Sequence, residues 1–166
     1  MKTANKTNRR DFLKQTTYAA AIAPLAVHAA GSDVIKVGLI GCGGRGTGAA
    51  AQALQADENI KLVAMGDLFA DRLETSLNTL TKTSAVADKV KVKQDHQFVG
   101  WNAFEQVLAS DVDSVILTTP PHFRPAHLKA AIAAGKHVFA EKPVAVDAQG
   151  IRSVIESCKL AKKKNL

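Results

Sequence analysis

Short apolar runs alternate with helix-spaced segments from residue 34 to the end of the chain. Residues 34–40, Val-Ile-Lys-Val-Gly-Leu-Ile, form the first run and stop at a cluster of glycines. Residues 48–54 are alanine-rich and suit a helix, which Asp57-Glu58-Asn59 breaks. Residues 60–65 are mostly apolar, the mark of a strand buried on both faces. Leu73, Leu77 and Leu80 fall at i, i+4 and i+7 and predict a helix over 71–80. Val90-Lys91-Val92 alternates and predicts a short third strand near the sheet edge, with a loop over 95–100. Phe104, Val107 and Leu108 predict a helix over 102–108. Residues 113–118 predict a fourth strand, which Thr119-Pro120-Pro121 ends, because proline donates no ladder bond and disfavours helix in the residue before it.

A helix over 124–134 closes at Gly135, a left-handed cap, and residues 136–140 predict a fifth strand. That strand stops at Glu141-Lys142-Pro143. Asp147 is placed as the N-cap of a last helix, with Ile151, Val154, Ile155 and Cys158 as its apolar face. Strands alternating with helices on short connections predict the α/β class, with a parallel, doubly wound sheet. By that alternation a sixth strand should follow Leu166, so the sheet reads as incomplete. The sequence is taken as a fragment or a truncated gene product.

The junction at residues 41–48 carries the first chemical signal. Gly41, Gly43 and Gly46 fit the spacing G-x-G-x-x-G between a strand and a helix. Such a loop suits a dinucleotide. The first glycine makes the tight turn, the second lets backbone approach a pyrophosphate, and the third lets helix and strand pack closely. The helix N-terminus then faces the phosphates with unpaired N–H groups. Asp67 ends the second strand, 26 residues after Gly41. An acid there bonds the adenosine ribose hydroxyls and repels a 2′-phosphate, favouring NAD over NADP. The plainer expectation is that Asp67 caps the next helix, and both roles can hold. In a doubly wound sheet the ends of the first, fourth and fifth strands share one edge at the switch point. That edge gathers Cys42 and Gly43, Thr119 and Pro120, and Glu141 and Lys142.

Composition changes this picture little. The chain has 166 residues, enough for one ordinary domain, and a formal charge of +7. Residues 1–14 hold a net +4 of that charge, and Lys159, Lys162, Lys163 and Lys164 crowd the other end. The six Phe, one Tyr and one Trp are scattered, so no basic-aromatic stripe marks a nucleic-acid partner. Cys42 and Cys158 are the two cysteines and fit no metal-ligand spacing, so free thiols and no metal are expected.

Residues 1–30 read as a leader rather than as fold. Asn8-Arg9-Arg10-Asp11-Phe12-Leu13-Lys14 precedes a mildly apolar stretch over 18–30, which ends in small residues suited to cleavage. The paired arginines resemble the twin-arginine export motif, with Asn8 where Ser or Thr is more usual. That resemblance implies a partner in the twin-arginine translocation machinery, export to the periplasm, and a protein already folded on its cofactor.

From residue 34 onward the chain resembles the glucose–fructose oxidoreductase, inositol dehydrogenase and rhizopine-catabolism family, often written Gfo/Idh/MocA. The resemblance rests on the glycine loop, Thr119-Pro120, Ala134-Gly135-Lys136-His137-Val138 and Glu141-Lys142-Pro143. It implies a Rossmann nucleotide domain over 31–166 and a two-domain oxidoreductase whose substrate domain lies beyond Leu166. Hydride transfer between NAD, or less readily NADP, and a sugar or polyol would be its reaction, in a homo-oligomer at full length. The implied cofactor contacts are Gly41, Cys42, Gly43, Gly44, Arg45, Gly46, Asp67, Thr119, Pro120, Glu141 and Lys142. Lys142 is the implied catalytic residue, bonding a substrate oxygen near the nicotinamide. Glu141 orients a neighbour or the ribose, and Pro143 is expected in the cis form. Pro121 and Arg124 depart from the family, which often has Asn and His there. His122 and His127 stand at a helix start, where packing or capping is expected over acid–base work. The competing readings are an NAD-dependent glycosidase of the same fold and a non-catalytic nucleotide-binding scaffold. Residues 31–166 alone are expected to be inactive.

Overall fold

The computed structural model describes residues 34–166. The leader expected over 1–30 lies outside the described residues. Five strands form one parallel sheet: β1 (Ile35–Ile40), β2 (Ile60–Asp67), β3 (Gln97–Val99), β4 (Ser114–Leu117) and β5 (His137–Ala140). Their order in space is β3-β2-β1-β4-β5, and every neighbouring pair is parallel. The helices are α1 (Gly44–Ala56), α2 (Ala70–Lys82), α3 (Ala103–Ala109), α4 (Arg124–Ala133) and α5 (Ala148–Lys163). The chain steps from β1 to β2 and β3 on one side, then back across β1 to β4 and β5. This is the doubly wound Rossmann arrangement that the alternation predicts.

Side chains alternate across β1, so the sheet has a core on each face. Val37 and Leu39 join Ala49, Ala50 and Leu54 of α1 and Leu73 and Leu80 of α2. Ile40 joins Val107 and Leu108 of α3, Leu128 and Ile132 of α4, and Val154 of α5. Leu39, Ala64, Val115 and Leu117 are fully buried. Strands covered on both faces read as continuous apolar runs, and that is how β2 and β4 read.

Two expectations need correction. The third strand is Gln97–Val99, inside the segment expected to be a loop, and not Val90-Lys91-Val92. Val90 does make an isolated bridge to Leu62, and the Lys91 amide donates to the Leu62 carbonyl at 2.8 Å. A 3-10 turn over Gln94–His96 then redirects the chain, and the ladder resumes against Met65, Gly66 and Asp67. The apolar face assigned to the last helix is also rotated. Val154 and Ser157 are buried, whereas Ile151 and Ile155 are 41% and 49% exposed and Cys158 is exposed. The Ser157 hydroxyl donates to the Ser153 carbonyl at 2.9 Å, so its polar group is satisfied within the helix and can face the core. Asp147 does cap this helix, accepting from the Gly150 amide at 2.6 Å.

Part of the basic surplus sits at helix ends. Lys89 donates to the Leu54 carbonyl at 2.7 Å, Lys136 to Val112 at 2.7 Å, and Lys164 to Ile132 at 3.0 Å. The cations at Leu54 and Ile132 complement the negative ends of α1 and α4.

Candidate functional site

The glycine loop leaves β1 through a residue that only glycine suits. Gly41 has φ +96°, and a Cβ on it would fall 2.7 Å from the Thr119 amide. Gly46 is packed beneath the turn, where a Cβ would lie 2.0 Å from the Gly41 carbonyl oxygen. Gly43 is different, because a Cβ there would meet nothing within 4 Å. It is the N-cap of α1, with no side-chain cap and no acid in the first turn. The leading amides of α1 are therefore left without a side-chain cap. Thr118, at the end of β4, steadies the turn by donating to the carbonyls of Ile40 at 3.1 Å and Gly41 at 2.6 Å. Sequence reading did not single out Thr118.

A cleft of about 560 Å³ opens in front of this turn. Gly41, Gly43, Arg45, Asp67, Thr119, Pro120, Glu141 and Lys142 all line it. Strand ends more than 70 residues apart in sequence thus converge where the order of the sheet reverses. Cys42 and Gly44 line a smaller groove between α1 and α2, on the other side of the loop. The Cys42 thiol is buried and donates toward the Gly66 carbonyl, and burial pushes its pKa up, with the Asp67 charge adding to it. At that position only the backbone serves the rim. Its amide donates to the Asp67 carboxylate at 2.6 Å, and the other Asp67 oxygen accepts from the Phe69 amide at 3.0 Å. Asp67 therefore ties the glycine loop to the end of β2. It does not cap α2, whose N-cap is Phe69. A carboxylate has about four lone-pair sites, so two remain for a ligand.

Across the cleft the Glu141 carboxylate, 7% exposed, accepts from the Arg45 guanidinium. That bond, with burial opposing it, holds the Glu141 carboxyl below its ordinary pKa. Arg45 is thereby drawn from α1 toward β5 and spans the cleft rim. Lys142 is exposed and lines the cleft, and the Lys142–Pro143 bond is cis, as the resemblance implies. The far lip is aromatic. Phe69 and Trp101 are 58% and 73% exposed, and Trp101 lies 6.1 Å from Phe123 between ring centroids. These rings were missed in the sequence, where each is a lone aromatic after a strand.

His127 behaves as a packing residue. It stacks on Phe104 at 4.2 Å between ring centroids, and its Nδ1 meets the Thr119 hydroxyl at 3.1 Å. Burial first, then the nearby Arg124 charge, pushes its pKa down to about 4. The unfolded chain takes that proton at about 6.5. Between these values the unfolded state binds more protons, so this group costs stability as pH falls through that window. His127→Phe should remove that part of the pH dependence. Urea midpoints near pH 7 and near pH 5 would then lie closer together in the variant than in the parent, and an unchanged gap would contradict the assignment. His122 packs edge-on to Phe123 at 5.2 Å and does not line the cleft. Among the described residues no three His, Cys, Asp or Glu side chains are grouped to hold a metal ion, and no helix is long and apolar enough to cross a membrane.

Comparison with known proteins agrees with this geometry. The family profile described as an oxidoreductase family with an NAD-binding Rossmann fold, GFO_IDH_MocA, matches residues 35–166. The chain is 31% identical to an inositol 2-dehydrogenase of Serratia proteamaculans over 126 residues, covering 74% of this chain and 33% of that protein. It is 30% identical to a glycosyl hydrolase family 109 protein of Solibacter usitatus over 155 residues, covering 85% and 34%. Among solved structures it resembles the 3-ketoreductase KijD10 of Actinomadura kijaniata, crystallised with NADP. The TM-score is 0.58 and the identity 26%, with 80% of this chain and 37% of that one covered. It also shares its fold with the scyllo-inositol dehydrogenase of Lactobacillus casei, at TM-score 0.60 and 23% identity, covering 81% and 35%. The chain spans about a third of the length of these proteins.

Proposed function

The chain belongs to the GFO_IDH_MocA oxidoreductase family with an NAD-binding Rossmann fold, and we propose that its cleft holds the dinucleotide of an enzyme oxidising or reducing a sugar or polyol. One observation carries the reading: α1 presents its uncapped N-terminus, behind a glycine with open space before it, to a cleft also lined by Asp67 and Lys142. The donor set fits the cofactor. Backbone amides at a helix start suit a pyrophosphate, and a carboxylate at the end of β2 suits ribose hydroxyls. When bound, the nicotinamide supplies hydride transfer. The chain's own part is to bind and to orient. The Gly43 turn takes the phosphates, Asp67 accepts from the ribose, and the Arg45–Glu141 pair ties the two rims together. The Lys142 ammonium bonds the substrate oxygen and stabilises negative charge as it develops there.

The Asp67 carboxylate would repel a 2′-phosphate, so NAD is favoured over NADP. Asp67→Ala is expected to weaken NAD binding and to narrow the preference over NADP. Unchanged relative affinities in paired titrations would remove Asp67 from that role.

A second reading is favoured by the likeness to the family 109 glycosyl hydrolase. In it the dinucleotide is used transiently and restored within each cycle. Net formation of NADH with a free sugar or polyol supports the oxidoreductase, whereas glycoside cleavage without net NADH supports the hydrolase. Export is part of the proposal too. Arg9 and Arg10 before the apolar stretch support carriage of the folded protein to the periplasm. Retention in the cytoplasm of the unmodified protein in a host with an active twin-arginine system would rule it out.

A further inference from the structure

We infer that Arg124 is the positioning residue for Lys142, clamping the carbonyls of the residues before and after that lysine to the end of β4. The inference rests on the proposed role of Lys142. It begins from a residue that is badly placed for its own helix. Arg124 opens α4, where the helix dipole is positive and a cation is disfavoured. It is 3% exposed, and no carboxylate among the described residues forms an ion pair with it. Burial depresses its pKa, as expected for a cation removed from water. A buried, unpaired cation at the wrong end of a helix persists only where other contacts offset its desolvation.

Those contacts are three backbone carbonyls. Nη1 donates to Glu141 at 2.5 Å and to Pro143, and Nη2 donates to Thr119. No backbone N–H reaches any of the three among the described residues. Nε is buried without a partner, so the guanidinium is oriented by these carbonyls at the expense of its remaining donor. Two of the carbonyls belong to the residues on either side of Lys142, and the third to the end of β4, the strand that pairs with β5. A planar fork with five donors can reach all three, and no other side chain carries such a fork. The amide of Glu141 is fixed separately, by donating to Leu117 at 3.0 Å. Backbone is thus held before and after Lys142, while its own side chain stays exposed toward the cleft. Arg124 does this from the cleft wall, which it lines while 3% exposed, through the direction in which Lys142 leaves the turn.

The test reads Lys142 itself. Reductive methylation with ¹³C-formaldehyde gives each lysine an NMR resonance, and Lys142→Arg identifies the one that belongs to Lys142. Arg124→Met and Arg124→Gln are then compared with the parent protein. In both, the Lys142 resonance should shift beyond its linewidth or split. Lys89 and Lys136, which sit on other carbonyls, should hold their positions. NADH binding by the parent protein is followed by titration in parallel. Should Arg124→Met fail to fold, Arg124→Gln carries the test alone. A Lys142 resonance that stays in place in a folded variant overturns the inference. So does equal movement of Lys89 and Lys136, which would mean a general loosening. A parent protein that binds no NADH would instead defeat the proposed function and leave the clamp readout standing.

Discussion

Gly46→Ala is expected to cost the protein both stability and its dinucleotide, whereas Gly43→Ala should cost only the dinucleotide. The two glycines lie three positions apart and are small for opposite reasons. A Cβ on Gly46 would fall 2.0 Å from the Gly41 carbonyl oxygen and 2.6 Å from the Thr118 hydroxyl. The first of these is backbone and cannot swing aside. The turn must shift, and with it the Thr118 bonds that hold it. Overpacking of this kind costs about 1–3 kcal/mol, read as a lower urea midpoint with an unchanged slope. Dinucleotide affinity should fall by about 100-fold or more, equivalent to roughly 2.7 kcal/mol. A Cβ on Gly43 meets no protein atom within 4 Å, and the residue has ordinary extended backbone at φ −70° and ψ 179°. Its stability should stay within about 0.5 kcal/mol of the parent. The new methyl group would fill space in front of α1, so binding should still fall. Unimpaired binding by a stable Gly43→Ala protein would remove the glycine loop as a phosphate cradle.

Lys142→Ala should abolish most turnover in the whole protein while leaving dinucleotide binding intact. A positioned acid–base group contributes about 10²–10⁴-fold to rate, and a loss of that size is expected in kcat. The dissociation constant for NADH should change by less than about threefold, because the phosphates are assigned to the glycine turn and the ribose to Asp67. Lys142→Arg separates two roles for the ammonium. Arginine still donates to an oxygen but does not give up its proton. Partial activity in that variant would mean that charge stabilisation dominates, and activity as low as in Lys142→Ala would mean that proton movement does. A Lys142→Ala enzyme within tenfold of the parent would favour the scaffold reading.

The parts of the site legible in the sequence are those fixed by local backbone rules. A turn with positive φ and a close helix–strand approach each require glycine, and Gly41 and Gly46 meet these needs, whereas Gly43 was legible only from its place in the glycine spacing. The ends of β2, β4 and β5 were also legible, because apolar runs stop abruptly at Asp67, Thr119 and Glu141. What depends on contacts distant in sequence was not. The Arg124 fork joins carbonyls five, 17 and 19 positions away, and no spacing rule points to it. The rotation of α5 was missed because Ser157 counts as polar by residue type, yet its hydroxyl is satisfied one turn back. β3 was missed because its three residues are ordered by pairing with β2 rather than by an apolar pattern of their own. Cys42 was expected on the rim, but its side chain is buried and it lines the smaller groove instead of the cleft.

The chain carries its own probe for the cleft. Trp101 is the only tryptophan and lines that space. Titration of the purified protein with NADH, followed by tryptophan emission, should give saturable quenching with energy transfer to the reduced nicotinamide. Emission from Trp101 that stays constant, together with no heat in a calorimetric titration at the same concentrations, would contradict the assignment of this cleft to a dinucleotide.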